Sequence, residues 1–267
     1  TYSLGEDSVA GFQSAVSGYT ITNTATGTTA VSAVKQWILP EDAATPDVTV
    51  QLYRNDETYG SPVTLNSTTS SKQWTDLPLY NGSGQPYTYT VTESYDSAKY
   101  EQVSAVQTGN NWVFVNTVKQ ENISKDITKT WNDGSGESRP SSITVQLKQD
   151  ESNYGDPVTL TKDSTTGLTV SGNVWTYTFQ NLPRYAFTKD ANGRVTAVRE
   201  YVYTVAEAGS IDGYTSSASG LAITNTRSAT ASVTVDKVWE DSFTNHPNVT
   251  VQLMQSGTTG GGTAVQT

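Results

Sequence analysis

The chain has 267 residues, a formal net charge of -10, 16% charged and 34% hydrophobic residues, which leaves room for one large domain or two to three modules. Its acidity opposes the phosphate neutralisation that binding to nucleic acid or an anionic membrane surface requires, no run approaches the roughly 18 apolar residues of a membrane helix, and Thr1 starts no basic-then-apolar signal segment. One histidine, His246, and no cysteine exclude thiol chemistry, disulfide frameworks and any histidine-based site repeated per module.

The abundance of Val, Thr, Tyr and Trp predicts an all-β protein, and short alternating runs separated by Gly, Pro, Asn and Asp predict strands with little helix. Taken in chain order, the runs repeat. Residues 1–24 hold Tyr2-Ser3-Leu4-Gly5-Glu6 and close on Ile21-Thr22-Asn23-Thr24. Residues 28–118 open on Val34-Lys35-Gln36-Trp37, pass through Val50-Gln51-Leu52 and Tyr89-Thr90-Val91-Thr92-Glu93, and close on Val115-Asn116-Thr117. Residues 122–227 repeat the order with Thr128-Lys129-Thr130-Trp131, Val145-Gln146-Leu147, Tyr203-Thr204-Val205-Ala206-Glu207 and Ile223-Thr224-Asn225-Thr226. Residues 228–267 return to Asp236-Lys237-Val238-Trp239 and Val251-Gln252-Leu253. Two units are thus complete, each of the size of a sandwich domain, flanked by the back part of one unit and the front part of another. The chain reads as a window from a longer tandem array, with neighbouring modules of that array as its partners. The rival arrangement has the split unit completed between molecules, giving head-to-tail self-association. Linkers as short as 119–121 predict modules set end to end as a semi-rigid rod.

Residues two apart on a strand share a face. Lys35 therefore faces inward with Val31, Ala33 and Trp37, Lys129 with Ile127 and Trp131, and Lys237 with Val233, Val235 and Trp239. The same count puts Glu93, Glu207 and Glu6 with inward tyrosines and aliphatics, and Asn116, Asn225 and Asn23 on apolar faces. Each unit buries an amine, an acid and a carboxamide in a fixed order. Low dielectric disfavours both charges of an amine–acid pair, so the neutral amine can attack the carboxamide carbon while the acid relays protons and ammonia leaves. The product is a Lys–Asn isopeptide cross-link, which requires the first and last strands of a unit to pair with the glutamate between them. A buried ion pair capped by asparagine is the plain structural alternative; threefold recurrence of the trio argues against it.

The Lys-x-Trp strand, the Tyr-x-Val-x-Glu strand and the closing Asn-Thr strand, in that order, resemble tandem Cna B-type domains of Gram-positive surface proteins and pilins. The resemblance implies inverse-immunoglobulin-like β-sandwich modules, self-formed isopeptide bonds, and a stalk or spacer role on the bacterial cell surface, attached to the cell wall in the intact protein. It implies Lys35 joined to Asn116 with Glu93 catalytic, and Lys129 joined to Asn225 with Glu207 catalytic. Lys237, Glu6 and Asn23 match the same motif positions but belong to fragments of different modules. Such a protein needs no cofactor and is no turnover enzyme.

The alternative function is an adhesin module that binds a host extracellular-matrix protein or glycan through exposed loops, for which the insertion Phe187 to Arg199 is the candidate. The acidic turns Glu41-Asp42, Asn132-Asp133-Gly134-Ser135-Gly136-Glu137 and Glu240-Asp241 lack the full alternation of a calcium loop and read as solvated turns. The Asn-x-Ser/Thr triplets at Asn66, Asn81, Asn122 and Asn248 match a glycosylation pattern that Thr-rich sequence produces by chance. His246, before Pro247, reads as a surface residue.

Overall fold

The computed structural model describes residues 2–134, 139–228, 233–252, 254–256 and 262–264. The chain divides into two compact units, Thr1–Ser228 and Ala229–Thr267, and every described element of regular structure is a strand.

The larger unit starts with a hairpin of β1 (Phe12–Ser17) and β2 (Thr20–Ala25). A first sandwich follows. One of its sheets has the order β7-β3-β10-β9, from β3 (Thr28–Ile38), β7 (Ser71–Pro78), β9 (Tyr100–Thr108) and β10 (Asn111–Val118). The facing sheet is built on β4 (Val48–Arg54), which pairs with β5 (Glu57–Thr58), β6 (Val63–Leu65) and β8 (Tyr89–Ser94). The second sandwich repeats this plan. Its larger sheet runs β15-β16-β11-β21-β20, from β11 (Asn122–Asn132), β15 (Leu168–Ser171), β16 (Val174–Pro183), β20 (Tyr214–Ser219) and β21 (Ala222–Arg227). Its smaller sheet has β12 (Ser142–Gln149) pairing with β13 (Ser152–Asn153), β14 (Val158–Thr161) and β19 (Tyr203–Glu207). An added hairpin, β17 (Tyr185–Lys189) and β18 (Val195–Glu200), fills the predicted insertion.

The strands form where apolar residues alternate. On β3, Val31, Ala33 and Lys35 are buried while their neighbours are not, so one face meets the core and the other meets water. Val50 and Leu52 of β4, Val91 of β8 and Phe114 of β10 complete a first core; Ile127, Val145, Val205 and Ile223 occupy the matching places in the second. Tight turns set the register. Asn55 and Asp56 join β4 to β5 with φ of 50° and 65°, and Asp150 and Glu151 join β12 to β13 with φ of 48° and 68°, the double positive φ of a type I′ hairpin.

Each closing strand runs parallel to the opening strand of its own sandwich, β10 beside β3 and β21 beside β11. Tyr89 and Tyr203 pin this arrangement at the base, donating their hydroxyls to the Pro78 and Pro183 carbonyls at 2.8 and 2.7 Å.

The fragments at the two ends differ from the sequence expectation. Residues 2–9 form no strand, and Tyr2 and Leu4 are exposed rather than inward-facing. Among the described residues, the two-stranded β1–β2 sheet has no facing sheet of the kind that β4 or β12 supplies. In the smaller unit, residues 233–252 likewise carry no strand, and Val233, Val235 and Lys237 are exposed. Only β22 (Met254–Ser256) and β23 (Gly262–Ala264) pair there among the described residues. Leu253 of the expected Val-Gln-Leu strand lies outside the described residues.

Candidate functional site

The parallel pairing of opening and closing strands positions the site. In the first sandwich Lys35 stands opposite Phe114, and Asn116 opposite Trp37. In the second Lys129 stands opposite Ile223, and Asn225 opposite Trp131. Lysine and asparagine thus share an inward face with an identical two-residue offset, and the long lysine side chain spans it. The glutamate expected between them is not on a strand of the same sheet. It comes from the facing sheet, on β8 or β19, because the strand that carries it pairs with β4 or β12; it meets the pair from across the core.

In the first sandwich Lys35 Nζ is 3.2 Å from Glu93 Oε1, and these side chains are 2% and 0% exposed. The amine also reaches the Gln36 and Phe114 carbonyls at 2.9 and 3.4 Å, while Asn116 Nδ2 donates to Glu93 Oε2 at 2.8 Å. In the second, Lys129 Nζ donates to Glu207 Oε1 at 3.1 Å, and Asn225 Nδ2 donates to the same oxygen at 3.1 Å. Both asparagines are fully buried. Their Oδ1 atoms accept no hydrogen bond, and an unpaired buried acceptor costs about 1–3 kcal/mol.

Burial lowers Lys35 to about 8, against the opposing charge of Glu93. Lys129 is lowered for the same reason, against its hydrogen bond to Glu207. Both amines are therefore closer to the neutral, nucleophilic form than an exposed lysine. Each lies over the indole two residues on, 4.2 Å from the Trp37 centroid and 4.6 Å from that of Trp131. The Lys-x-Trp motif carries the signal for this contact, although alternation alone suggests only shared core packing.

The end fragments place the remaining trio differently. Asn23 Nδ2 donates to Glu6 Oε1 at 2.9 Å, and Ser14 donates to Glu6 Oε2 at 2.8 Å. This reproduces the acid–carboxamide pair, but in the open: Glu6 and Asn23 are exposed, and these hydrogen bonds hold the Glu6 carboxyl below its ordinary value. Lys237 lies 3.9 Å from the Trp239 centroid and is exposed too.

What holds Asp133 is not legible in the residue pattern. Its carboxylate is buried and is gripped by Arg139 and by the Tyr214 hydroxyl, so its oxygens are committed to an ion pair. Ser135, Gly136 and Glu137 of that acidic turn lie outside the described residues. Asn66 and Asn81 of the sequence triplets accept backbone N–H groups of their own turns, which accounts for asparagine there. His246 is half-buried, stacked on Trp239 and paired with Asp241.

Fold and site together define a tandem β-sandwich repeat protein in which a lysine, a glutamate and an asparagine meet inside each complete sandwich. The family model of the Cna protein B-type domain matches residues 31–117 and again 125–226. The chain belongs to the Cna protein B-type domain family. It is 29% identical over 276 residues to a collagen adhesin of Staphylococcus aureus, an alignment covering 99% of this chain and 22% of that protein; the chain thus spans about a fifth of that relative. Among solved structures, two B repeat units of the collagen-binding protein of Staphylococcus aureus are 25% identical, with 83% of this chain and 55% of that one covered at a TM-score of 0.39. The shaft pilin of Lactobacillus rhamnosus GG is 12% identical, with 76% and 100% covered at a TM-score of 0.23.

Proposed function

We propose that the two complete modules are self-cross-linking stalk units of an extracellular bacterial surface protein, with Lys35 joined to Asn116 and Lys129 joined to Asn225. The burial of the same three side chains at the same strand offset in both modules carries this reading. A proton passed from the lysine ammonium to the glutamate beside it leaves the amine neutral, and Nζ adds to the asparagine Cγ. A turn of the carboxamide about its last torsion, which exchanges two nearly isosteric groups, sets Oδ1 against the acid proton and offsets the negative charge that develops there. The glutamate takes one proton from the amine nitrogen and returns one to Nδ2. The Cγ–Nδ2 bond breaks, ammonia leaves, and the acid is regenerated. Each module runs the reaction once.

The bond's position supports a mechanical role. Pulling on the array loads the opening and closing strands, and a covalent tie between them removes residues 36–115 and 130–224 from the path of force. By the chain-entropy argument developed for disulfides, closing a loop of this size adds about 4–5 kcal/mol, and an amide resists reductants. Attachment to a cell wall and service as a spacer within a longer array belong to the same proposal.

The intact mass of the denatured chain tests it. The expected value is the sequence mass less two ammonia molecules, with Glu93→Ala and Glu207→Ala each restoring one. A wild-type mass equal to the sequence mass would reduce both trios to hydrogen-bonded clusters.

A further inference from the structure

Each sandwich of the larger unit carries an excursion at the same place, where it meets what precedes it. In the first, Leu79 N donates to Gly27 O at 3.0 Å, and Tyr87 N returns to Leu79 O at 2.8 Å. In the second, Arg184 N donates to Glu121 O at 2.8 Å, and Tyr201 N returns to Arg184 O at 2.9 Å. Between these matching anchors the first sandwich has only the turn 80–86, closed by a bridge between Tyr80 and Pro86. The second has residues 185–200, the β17–β18 hairpin.

The inner face of that hairpin is not free. Tyr185 and Val198 are each 8% exposed and form a separate apolar cluster with Val118 of the first sandwich. Ile38, Leu39 and Tyr100 of the first sandwich pack around it, and Tyr100 meets Trp37 edge-on at 4.9 Å. The linker is held along its whole length. Lys119 N donates back to Lys99 O at 2.8 Å. Gln120 pairs with Tyr185 as a strand residue would, Oε1 accepting from its N–H at 2.9 Å and Nε2 donating to its carbonyl at 2.8 Å. Glu121 and Glu200 are bridged by Arg184 at 2.9 and 2.7 Å.

We infer that the β17–β18 hairpin is an inter-module brace: an interaction surface whose partner is the preceding module of the same chain, recognised by its Ile38–Leu39, Tyr100 and Val118 end, and which holds the two modules at a fixed angle. A three-residue linker limits how far the modules can separate but does not by itself fix the angle between them, whereas an apolar cluster with satisfied polar groups at its rim has the make-up of a specific interface. The brace goes beyond the cross-linking proposal and does not depend on it.

The chain has no cysteine, so spin labels can be placed uniquely at Thr64→Cys and Thr159→Cys, which are exposed positions on the two sandwiches. Pulsed electron resonance on the full chain then reads the inter-module distance distribution. The expected result is a narrow distribution that broadens at least twofold in two variants: one with residues 185–200 replaced by the turn sequence 80–86, the other Val198→Asp. Intact mass on the same samples reports cross-linking separately, and hydrogen exchange reports whether each module remains folded. A broad distribution in the unmodified chain, or an equally narrow one in a folded variant, overturns the brace; if one variant fails to fold, the other and the unmodified chain still decide.

Discussion

The two sandwiches carry one site in two settings. In the first, Lys35 directs its hydrogens at two backbone carbonyls, while Glu93 meets lysine and asparagine with different oxygens. In the second, Lys129 and Asn225 both donate to Glu207 Oε1, leaving Oε2 without a partner. Their supports differ as well. Trp131 is buried between Trp175 and Tyr214, with the Asp133–Arg139 pair behind Tyr214, whereas Trp37 is only partly buried and leans on Tyr100, which faces the joint. Strand register is common to both because it sets backbone positions. The shell around the site is free to vary, since any packing that keeps the amine dry will serve.

That contrast can be broken most forcefully by stranding the acid. Lys35→Met and Lys129→Met leave a buried carboxylate unpaired, expected to cost about 3–5 kcal/mol on top of the lost cross-link. Denaturant unfolding followed by module-resolved hydrogen exchange should confine the loss to the altered module; a loss below about 1 kcal/mol would show that the acid is not desolvated as the geometry requires. Glu93→Gln and Glu207→Gln keep the shape while removing the proton relay. Each should lower the stability of its own module by roughly the 4–5 kcal/mol of loop closure, read from the same experiment. Asp133→Asn should destabilise the second module alone, by about 2 kcal/mol for a charged hydrogen-bond pair; an equal effect on the first module would contradict the difference in their supports.

The site geometries also predict an order of events. Lys129 and Asn225 converge on one oxygen of their acid while Lys35 and Asn116 use different ones, so on refolding of unreacted chain the second module should release its ammonia first, as followed by peptide mass against time. A further effect is in pH. In Asn116→Ala the Lys35 amine stays titratable, with its pKa lowered from 10.5 to about 8 by folding. Between these values the unfolded chain binds more protons than the folded one, so stability should rise with pH across that window. The double variant Asn116→Ala/Lys35→Met should lack that rise, as measured by unfolding at a series of pH values.

Within each complete module, alternation alone puts lysine, glutamate and asparagine on inward faces, because a strand's side-chain period of two is a local property. The same argument failed for Tyr2, Leu4 and Lys237, which are exposed. Alternation says which residues share a face but not whether a second sheet covers that face.

The all-β class, the repeat and the identity of the trio follow from the residues alone, since composition, spacing and strand period are local properties of the chain. How the sheets pack is what brings the glutamate to the pair from the facing sheet, sets the Tyr214 hydroxyl on Asp133, and turns the apolar side of the 185–200 insertion to the preceding module. The glutamate, Tyr214 and the hairpin reach partners distant in sequence through sheet packing, and such contacts depend on which faces meet rather than on any local pattern.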